Sequence, residues 1–379
     1  MNIGIRRVAI ATAALTVLAI AGSGSAPATE PHHAGFFPHA ISLGDFDGDG
    51  VPDLAVPASA ERKVTVFLSD GRLGIRSNHA YPVGQGPTWV ETADLDGDGR
   101  MDLVTANTGA GTLTAYFGDG TGGFGAPTEI PGLAGAVAIV AGDFRRSGRM
   151  DLAVLQVIGE RLLILENRGR GRFVPARSYR IGRGPHILAK ANLTRDGNLD
   201  LVAASLGPHT LSVLVGKGDG SFHEPKPVSV GRFPHYMAFG DWNRDGHADV
   251  AVVVAGEDAV ELLAGDGHGG LTKLGRVTVG TNPHGIVTGD FTGDGIADLL
   301  VANRSSRELV LLAGDGRGGF TARQPLRTEQ DIIALAAADL DRDGHLDLAL
   351  VSASHNRVVL LRGTGTGEFR LVGAPGGAP

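Results

Sequence analysis

One loop pattern recurs along the chain at a fixed interval of 49 residues. It starts at Asp45, Asp94, Asp143, Asn192, Asp241, Asp290 and Asp339, and no copy carries an insertion. Seven such copies occupy residues 36–378, which leaves no room for a second domain or an internal linker. Each copy reads as four short strands. In the second, WVETADL leads into the acidic stretch DLDGDGRMD, DLVTAN follows, and TLTAYFG alternates apolar and polar residues before a Gly-rich turn and a fourth strand opening at Phe124. That apolar position recurs as Ile75, Phe173, Phe222, Leu271, Phe320 and Phe369. Gly and Pro interrupt every window in which a helix would start. A four-stranded unit repeated seven times predicts an all-β fold, a seven-bladed β-propeller of four antiparallel strands per blade. Each blade is expected to be contiguous in sequence, with a strand exchange between the termini left open. An open β-solenoid is the competing fold, but 49 residues is long for one of its turns.

Composition narrows the chemistry. There are 59 glycines in 379 residues without a Gly-X-Y period, so a collagen helix is excluded. Cysteine is absent, which removes disulfide scaffolds, thiol nucleophiles and cysteine zinc sites. The net charge is −7, so there is no basic footprint for nucleic acid. Arg6 and Arg7, the apolar run Val8 to Ile20 and the small residues Ala26-Pro27-Ala28 predict a signal peptide over 1–28, cut after Ala28. Residues 29–35 are then a short N-terminal tail. The expected location is secreted, cell-surface or periplasmic, with no membrane span after cleavage. The protein is expected to be monomeric.

The repeated loop has the form Asp45-x-Asp47-x-Asp49-Gly50-x-x-Asp53. Carboxylates at positions 1, 3 and 5 of a tight turn converge on one point, and Gly at position 6 permits the turn. Hard oxygen ligands in that number suit Ca²⁺. Position 12 is Val56 and the flanks are strands, so this is an EF-hand-like loop in a β-hairpin, with position 9 replacing the distant Glu. All four acids are present as Asp45, Asp47, Asp49 and Asp53, as Asp94, Asp96, Asp98 and Asp102, and as Asp339, Asp341, Asp343 and Asp347. The fifth loop has Asp241, Asn243, Asp245 and Asp249, and the sixth Asp290, Thr292, Asp294 and Asp298. The fourth is weaker, with Asn192, Thr194, Asp196 and Asp200. The third has Asp143, Arg145, Ser147 and Asp151, with a cation at position 3. About five Ca²⁺ sites are expected, with the fourth loop doubtful and the third empty. Asp and Gly also form turns without any metal. Against that, clustered carboxylates repel unless a cation joins them.

The loops DFDGDGVPDLAV and DLDGDGRMDLVTAN resemble the FG-GAP/VCBS repeats, which also build the head of integrin α subunits. The resemblance covers nearly all of the chain after residue 35. It implies a seven-bladed propeller with Ca²⁺ between the first two strands of a blade. It also implies extracellular recognition or adhesion, the partner being an extracellular protein or glycan. The shorter blade and the third loop depart from the integrin pattern.

A second periodicity lies six residues before each loop, at His39, Thr88, Val137, His186, His235, His284 and Ile333. Pro precedes His in four blades. The position predicts a channel mouth on the face opposite the acidic loops, with His186, His235 and His284 side by side. These imidazoles either bond the next blade's backbone or form a ligand or second metal site with His39; imidazole suits Zn²⁺, Cu²⁺ or Ni²⁺. Pro283-His284-Gly285-Ile286 faintly resembles the streptogramin lyase propellers, which lack the acidic loops. The same face is expected to expose Asn107, Ser205, His209, Asn303, Arg304, Ser352 and His355. Trp89 and Tyr236, at equivalent positions, either stack on a sugar or fill core; Trp242 reads as core. A recognition propeller leads. A lectin, a lyase or metal-dependent enzyme using the His face, and a structural module remain as alternatives. No Gly-x-Ser-x-Gly nucleophile motif appears.

Overall fold

The computed structural model describes residues 32–372 apart from position 329, so the expected signal peptide lies outside the described residues. Seven antiparallel sheets follow one another along the chain. Blade 1 comprises Ser42–Gly44, Asp53–Ala58, Lys63–Ser69 and Ile75–Pro82. Blade 5 comprises Pro234–Gly240, Asp249–Val254, Ala259–Gly265 and Leu271–Thr278. The others repeat the order, giving the predicted seven-bladed β-propeller. Among the described residues, helix is confined to a single 3₁₀ turn at Ala255–Glu257, and no helix is long and apolar enough to cross a membrane.

The second strand of every blade is buried along its whole length. Its sequence is accordingly a near-continuous apolar run (DLAVPA, DVAVVV, DLALVS), because both faces pack on other blades. The buried apolar residues form seven clusters, each between two neighbouring blades. One contact recurs in them. The residue at loop position 2 meets the large residue that opens the next blade's fourth strand. Phe46 packs edge-on against Phe124, Phe144 against Phe222, Trp242 against Phe320 and Phe291 against Phe369, with ring centroids 5.3–5.8 Å apart. Trp242 is therefore core, as its position predicts.

Two expectations are corrected. Phe124 and Phe222 make only isolated bridges, to Gly118 and Gly216. The regular fourth strands there start later, at Thr128 and Lys226. The blades are also not all contiguous. In blade 7 the third strand, Arg357–Gly363, pairs at one end with Phe369–Leu371 and at the other with His32–His33. Ala34, fully buried, donates its N–H to Asn356 O at 2.8 Å. The two chain ends thus share one outer strand, and this exchange closes the ring.

Candidate functional site: the acidic loops and the histidine face

Each acidic loop joins the first two strands of a blade, and its last acid opens the second strand. That position-9 aspartate is buried in all seven blades. Outside blade 3, one of its oxygens accepts the backbone N–H of loop position 2 and the other an N–H from the end of the third strand or up to two residues beyond it. Asp53 accepts from Phe46 (2.9 Å) and Ser69 (2.8 Å). Asp249 accepts from Trp242 and Gly265, both at 3.1 Å, and Asp347 from Leu340 and Gly363, both at 2.9 Å. Position 9 therefore clasps three segments of the blade whatever else it binds. Position 1 organises the turn: Asp45 accepts N–H groups from Gly48, Asp49 and Gly50 at 2.8–3.1 Å, and Asp94 and Asp290 repeat the set.

In three loops the carboxylates at positions 1, 3 and 9 converge, with one oxygen from each within 4.8 Å of the others. These are Asp45, Asp47 and Asp53; Asp94, Asp96 and Asp102; and Asp339, Asp341 and Asp347. The position-5 acids Asp49, Asp98 and Asp343 are exposed and stand outside these triads. Loops 5 and 6 have Asn243 and Thr292 at position 3, so Asp241 with Asp249, and Asp290 with Asp298, are two-acid versions. Asp245 and Asp294 are exposed beside them. In loop 4, Asn192, Thr194, Asp196 and Asp200 bring one buried carboxylate. Burial, the largest cause, pushes Asp53, Asp102 and Asp347 up to about 6 against their backbone donors, and neighbouring carboxylates add to the rise. Thr292 Oγ1 at position 3 is buried without a hydrogen-bond partner, whereas Asp47 Oδ2, equally buried, meets the Arg76 guanidinium. Oxygens short of a donor, beside carboxylates too close to share their charge, suit a hard cation.

Blade 3 answers the same demand differently. Arg145, at position 3, donates from Nε to Asp151 Oδ2 (2.9 Å), from Nη2 to Asp151 Oδ1 (2.8 Å) and from Nη1 to Glu166 Oε1 (2.5 Å). A guanidinium lies against the position-9 carboxylate. The residue at loop position 4 is a feature that the sequence pattern did not reveal. It is left-handed in every loop, as Gly48, Gly97 and Gly293 or as Arg146, Arg195, Arg244 and Arg342. Arg146 donates to Asp196 O at 2.5 Å, Arg244 to Gly295 O at 3.3 Å and Arg342 to Asp49 O, each time in the next blade. The Arg195 guanidinium lies beside Gly246 in the next blade.

On the opposite face the histidines gather as predicted. His186 and His235 have ring centroids 5.1 Å apart and His235 and His284 4.6 Å. His284 Nδ1 lies 2.7 Å from Ile333 O in the next blade, the backbone-bonded arrangement. His235 Nδ1 is buried without a partner. Burial pushes His235 down to about 3 and His284 to about 4, helped by the neighbouring imidazoles and Arg304. It also lowers His39 and His186. Unlike the aspartates, the imidazoles do not form a group of three converging ligand atoms. Trp89 of blade 2 stacks on Tyr236 of blade 5 at 6.0 Å and 19°. Blades 2 and 5 are not neighbours, so this pair spans the channel and packs with the core clusters around it. The core reading of these two residues holds.

Four residues expected on the exposed loops of this face are not there. Asn107, Ser205, Asn303 and Ser352 are buried at the ends of second strands. Asn107 Nδ2 bonds Thr112 and Thr114 across the turn, and Asn303 Nδ2 bonds Glu308 O. Their polarity serves turn closure. Arg304 and His355 are exposed. So are Phe37 and Phe233, at 61% and 49%, in left-handed conformations at a position that blades 2, 3 and 4 give to Gly86, Gly135 and Gly184.

The FG-GAP-like repeat profile matches residues 45–105, 95–154, 192–252, 241–301 and 290–350. No match begins in the third loop, where Arg145 stands. No curated protein matches the chain. Solved structures share the fold at low identity. A Lactobacillus plantarum protein is 17% identical with TM-score 0.61, over 87% of this chain and 94% of that one. An Agrocybe aegerita lectin described as recognising non-reducing terminal N-acetylglucosamine is 18% identical with TM-score 0.56, over 89% of each chain. Virginiamycin B lyase from Staphylococcus aureus is 13% identical with TM-score 0.59, over 85% and 93%.

Proposed function

Because the chain belongs to the FG-GAP-like repeat family, we propose that it is a secreted propeller, stabilised by calcium, that presents a rigid face for extracellular recognition or adhesion. One observation carries the calcium reading. At symmetry-related spots, blades 1, 2 and 7 converge three carboxylates, while blade 3 keeps two, Asp143 and Asp151, and has a guanidinium against the latter. The position calls for positive charge. Asp45, Asp47 and Asp53, Asp94, Asp96 and Asp102, and Asp339, Asp341 and Asp347 would hold the ion, with Asp49, Asp98 and Asp343 beside them. Loops 5 and 6 would do so with one carboxylate fewer. When bound, the ion supplies the charge that lets these buried groups stay ionised together. The chain's own part is the clasp: position 9 ties the loop to two strands, so whatever steadies the carboxylates steadies the blade.

Export is supported by the leader-like residues 1–28. Extracellular modules of this kind bind calcium at about 10⁻⁴–10⁻³ M. Recognition is supported by the face opposite the loops, where exposed Phe37 and Phe233 flank His39 and His235 on a rigid ring. The partner would be an extracellular protein or a glycan, the latter being what the A. aegerita lectin is described as recognising. Thermal melting in excess Ca²⁺ and in EGTA tests the calcium reading. At tenfold excess each site adds about 1.4 kcal/mol, so several sites together give a large upward shift. Identical melts in the two buffers would refute it. A glycan array and a pull-down, both in Ca²⁺, then separate the partner classes.

A further inference from the structure

The arginines that meet the acidic loops do not all come from one place in the repeat. In blade 3 the guanidinium is that of Arg145 at loop position 3 itself. In blade 7 it is that of Arg362, near the end of the third strand, with Nη2 2.6 Å from Asp341 Oδ2. In blade 1 it is that of Arg76, in the fourth strand, which closes on Asp47 Oδ2. Asp47 and Asp341 are both position 3 of the loop, and their side chains are only 5% and 4% exposed. Three different structural elements deliver a cation to one location. A feature inherited with the repeat would come from the same element each time. Separate delivery is what a local charge requirement produces.

Blade 2 has the same four acids and no such partner. The residues equivalent to Arg362 and Arg76 are Phe117 and Gly125. Among the described residues, no basic side chain pairs with Asp94, Asp96 or Asp102. Arg100 reaches only the exposed Asp98, at 3.4 Å. The neighbouring loop sends nothing either, since position 4 of blade 1 is Gly48. In blades 4, 5 and 6 the guanidinium comes from the blade before and meets the loop backbone rather than a carboxylate.

We propose that Arg76 and Arg362 are built-in counter-ions that calcium must displace, so that blade 2 carries the open, tight site while blades 1 and 7 bind by exchange. Blade 3 stays closed. The proposal rests on the calcium reading above. The side chains support the distinction: Arg76 and Arg362 are 44% and 50% exposed, so each can swing outward. Arg145 is 18% exposed and tied by bonds to Asp151, Glu166 and Asn167 O. Exchange also leaves a mark on the surface. Loading blades 1 and 7 frees two guanidinium groups at the rim, whereas loading blade 2 frees none.

The test is equilibrium dialysis of the full chain against radioactive calcium. The parent should show one tight equivalent followed by weaker ones, and Asp96→Asn should remove the tight one. Arg76→Ala and Arg362→Ala should each tighten one of the weaker equivalents by roughly fivefold, the worth of a half-exposed ion pair. Arg76→Gln keeps most of the stem and should do the same. Parent binding with no change in these variants overturns the exchange. Absence of any binding by the parent overturns the calcium reading instead. A metal-free arm keeps the two apart. In EGTA each arginine variant should melt lower than the parent, and adding Asp47→Asn or Asp341→Asn should restore the melt. Variants that melt like the parent, or that are not restored, overturn the counter-ion role whatever calcium does.

Discussion

The position-9 clasp can be tested without any ligand. Asp249 is buried, and its two oxygens accept N–H groups from Trp242 and Gly265, each at 3.1 Å. Asp249→Asn preserves the size and one of these bonds but turns an NH₂ towards the other N–H. One buried donor then loses its acceptor, which costs about 1–3 kcal/mol. Asp249→Ala strands both donors and also leaves a small void, so its cost is roughly twice that. Asp245→Ala, at the exposed position 5 of the same loop, is the control and should stay within about 0.5 kcal/mol of the parent. Urea unfolding in EGTA gives the comparison directly, because metal then contributes to neither state. The expected order is Asp245→Ala close to the parent, then Asp249→Asn, then Asp249→Ala. An Asp249→Asn loss below about 0.5 kcal/mol would mean that water serves these N–H groups in the fold, and the clasp would have no energetic standing.

The histidine face gives a pH dependence whose sign is fixed. His235 and His284 titrate near 3 and 4 in the fold and near 6.5 unfolded. Below 6.5 the unfolded chain takes up protons that the fold refuses, so stability present above pH 6.5 should fall as pH drops towards 4. His39, His186 and Arg304 face the same cluster and hold the refusal in place. Asp53, Asp102 and Asp347 act oppositely, since carboxylates raised to about 6 lose stability as pH rises through that value. The readout is therefore the difference between the parent and His235→Asn/His284→Asn: the melt of the variant should rise relative to that of the parent as pH falls from 6.5 to 4. Trp89→Ala empties the middle of the channel and should cost about 3–5 kcal/mol, measured by urea unfolding. A chain beginning at residue 38 loses His32–His33 and the buried Ala34. It should melt lower and scatter more light, because the edge of Arg357–Gly363 is left open.

The periodicity carried the fold because a strict 49-residue interval admits few closed architectures; it left open the strand exchange and misplaced the start of two fourth strands. His32 and His33 sit outside the repeat and show no strand pattern, and only three-dimensional closure pairs them with Val358 and Arg357. The loop acids were legible as a set, but their individual roles were not. Asp53 and Asp49 look alike in sequence, yet one is a buried clasp and the other is exposed at the rim. Arg76 and Arg362 lie 29 and 21 residues beyond their partners Asp47 and Asp341, at offsets that match neither each other nor the repeat. Asn107 and Asn303 carried a polar signal that suits an exposed loop and a turn-closing strand end equally well.

Position 4 of the loop shows how the repeat spends conformational freedom. Its φ is positive in all seven blades, and three of them use Gly, for which that conformation is free of strain. The other four place Arg at φ of 52–63°, at a cost of about 1–2 kcal/mol each for the β-carbon. Nothing in the turn itself calls for a long cation. The return is found in the next blade, where Arg146, Arg244 and Arg342 bond loop carbonyls that the turn leaves without backbone partners. A charged donor to such a carbonyl contributes about 1.5–3 kcal/mol when shielded and less at an exposed rim, so each latch is close to neutral in stability. Its effect is on geometry: it fixes one loop against its neighbour. These bonded links run from blade 3 to 4, 5 to 6 and 7 to 1, Arg195 lies beside Gly246 between blades 4 and 5, and blade 2 has Gly rather than Arg at this position on both of its sides. The blade 2 loop, whose converging acids have no guanidinium partner, is held to blade 3 by a different device: Asn167 Nδ2 donates to Leu95 O at 2.7 Å, so its turn keeps the unstrained Gly97 and is fixed against its neighbour from loop position 2 instead.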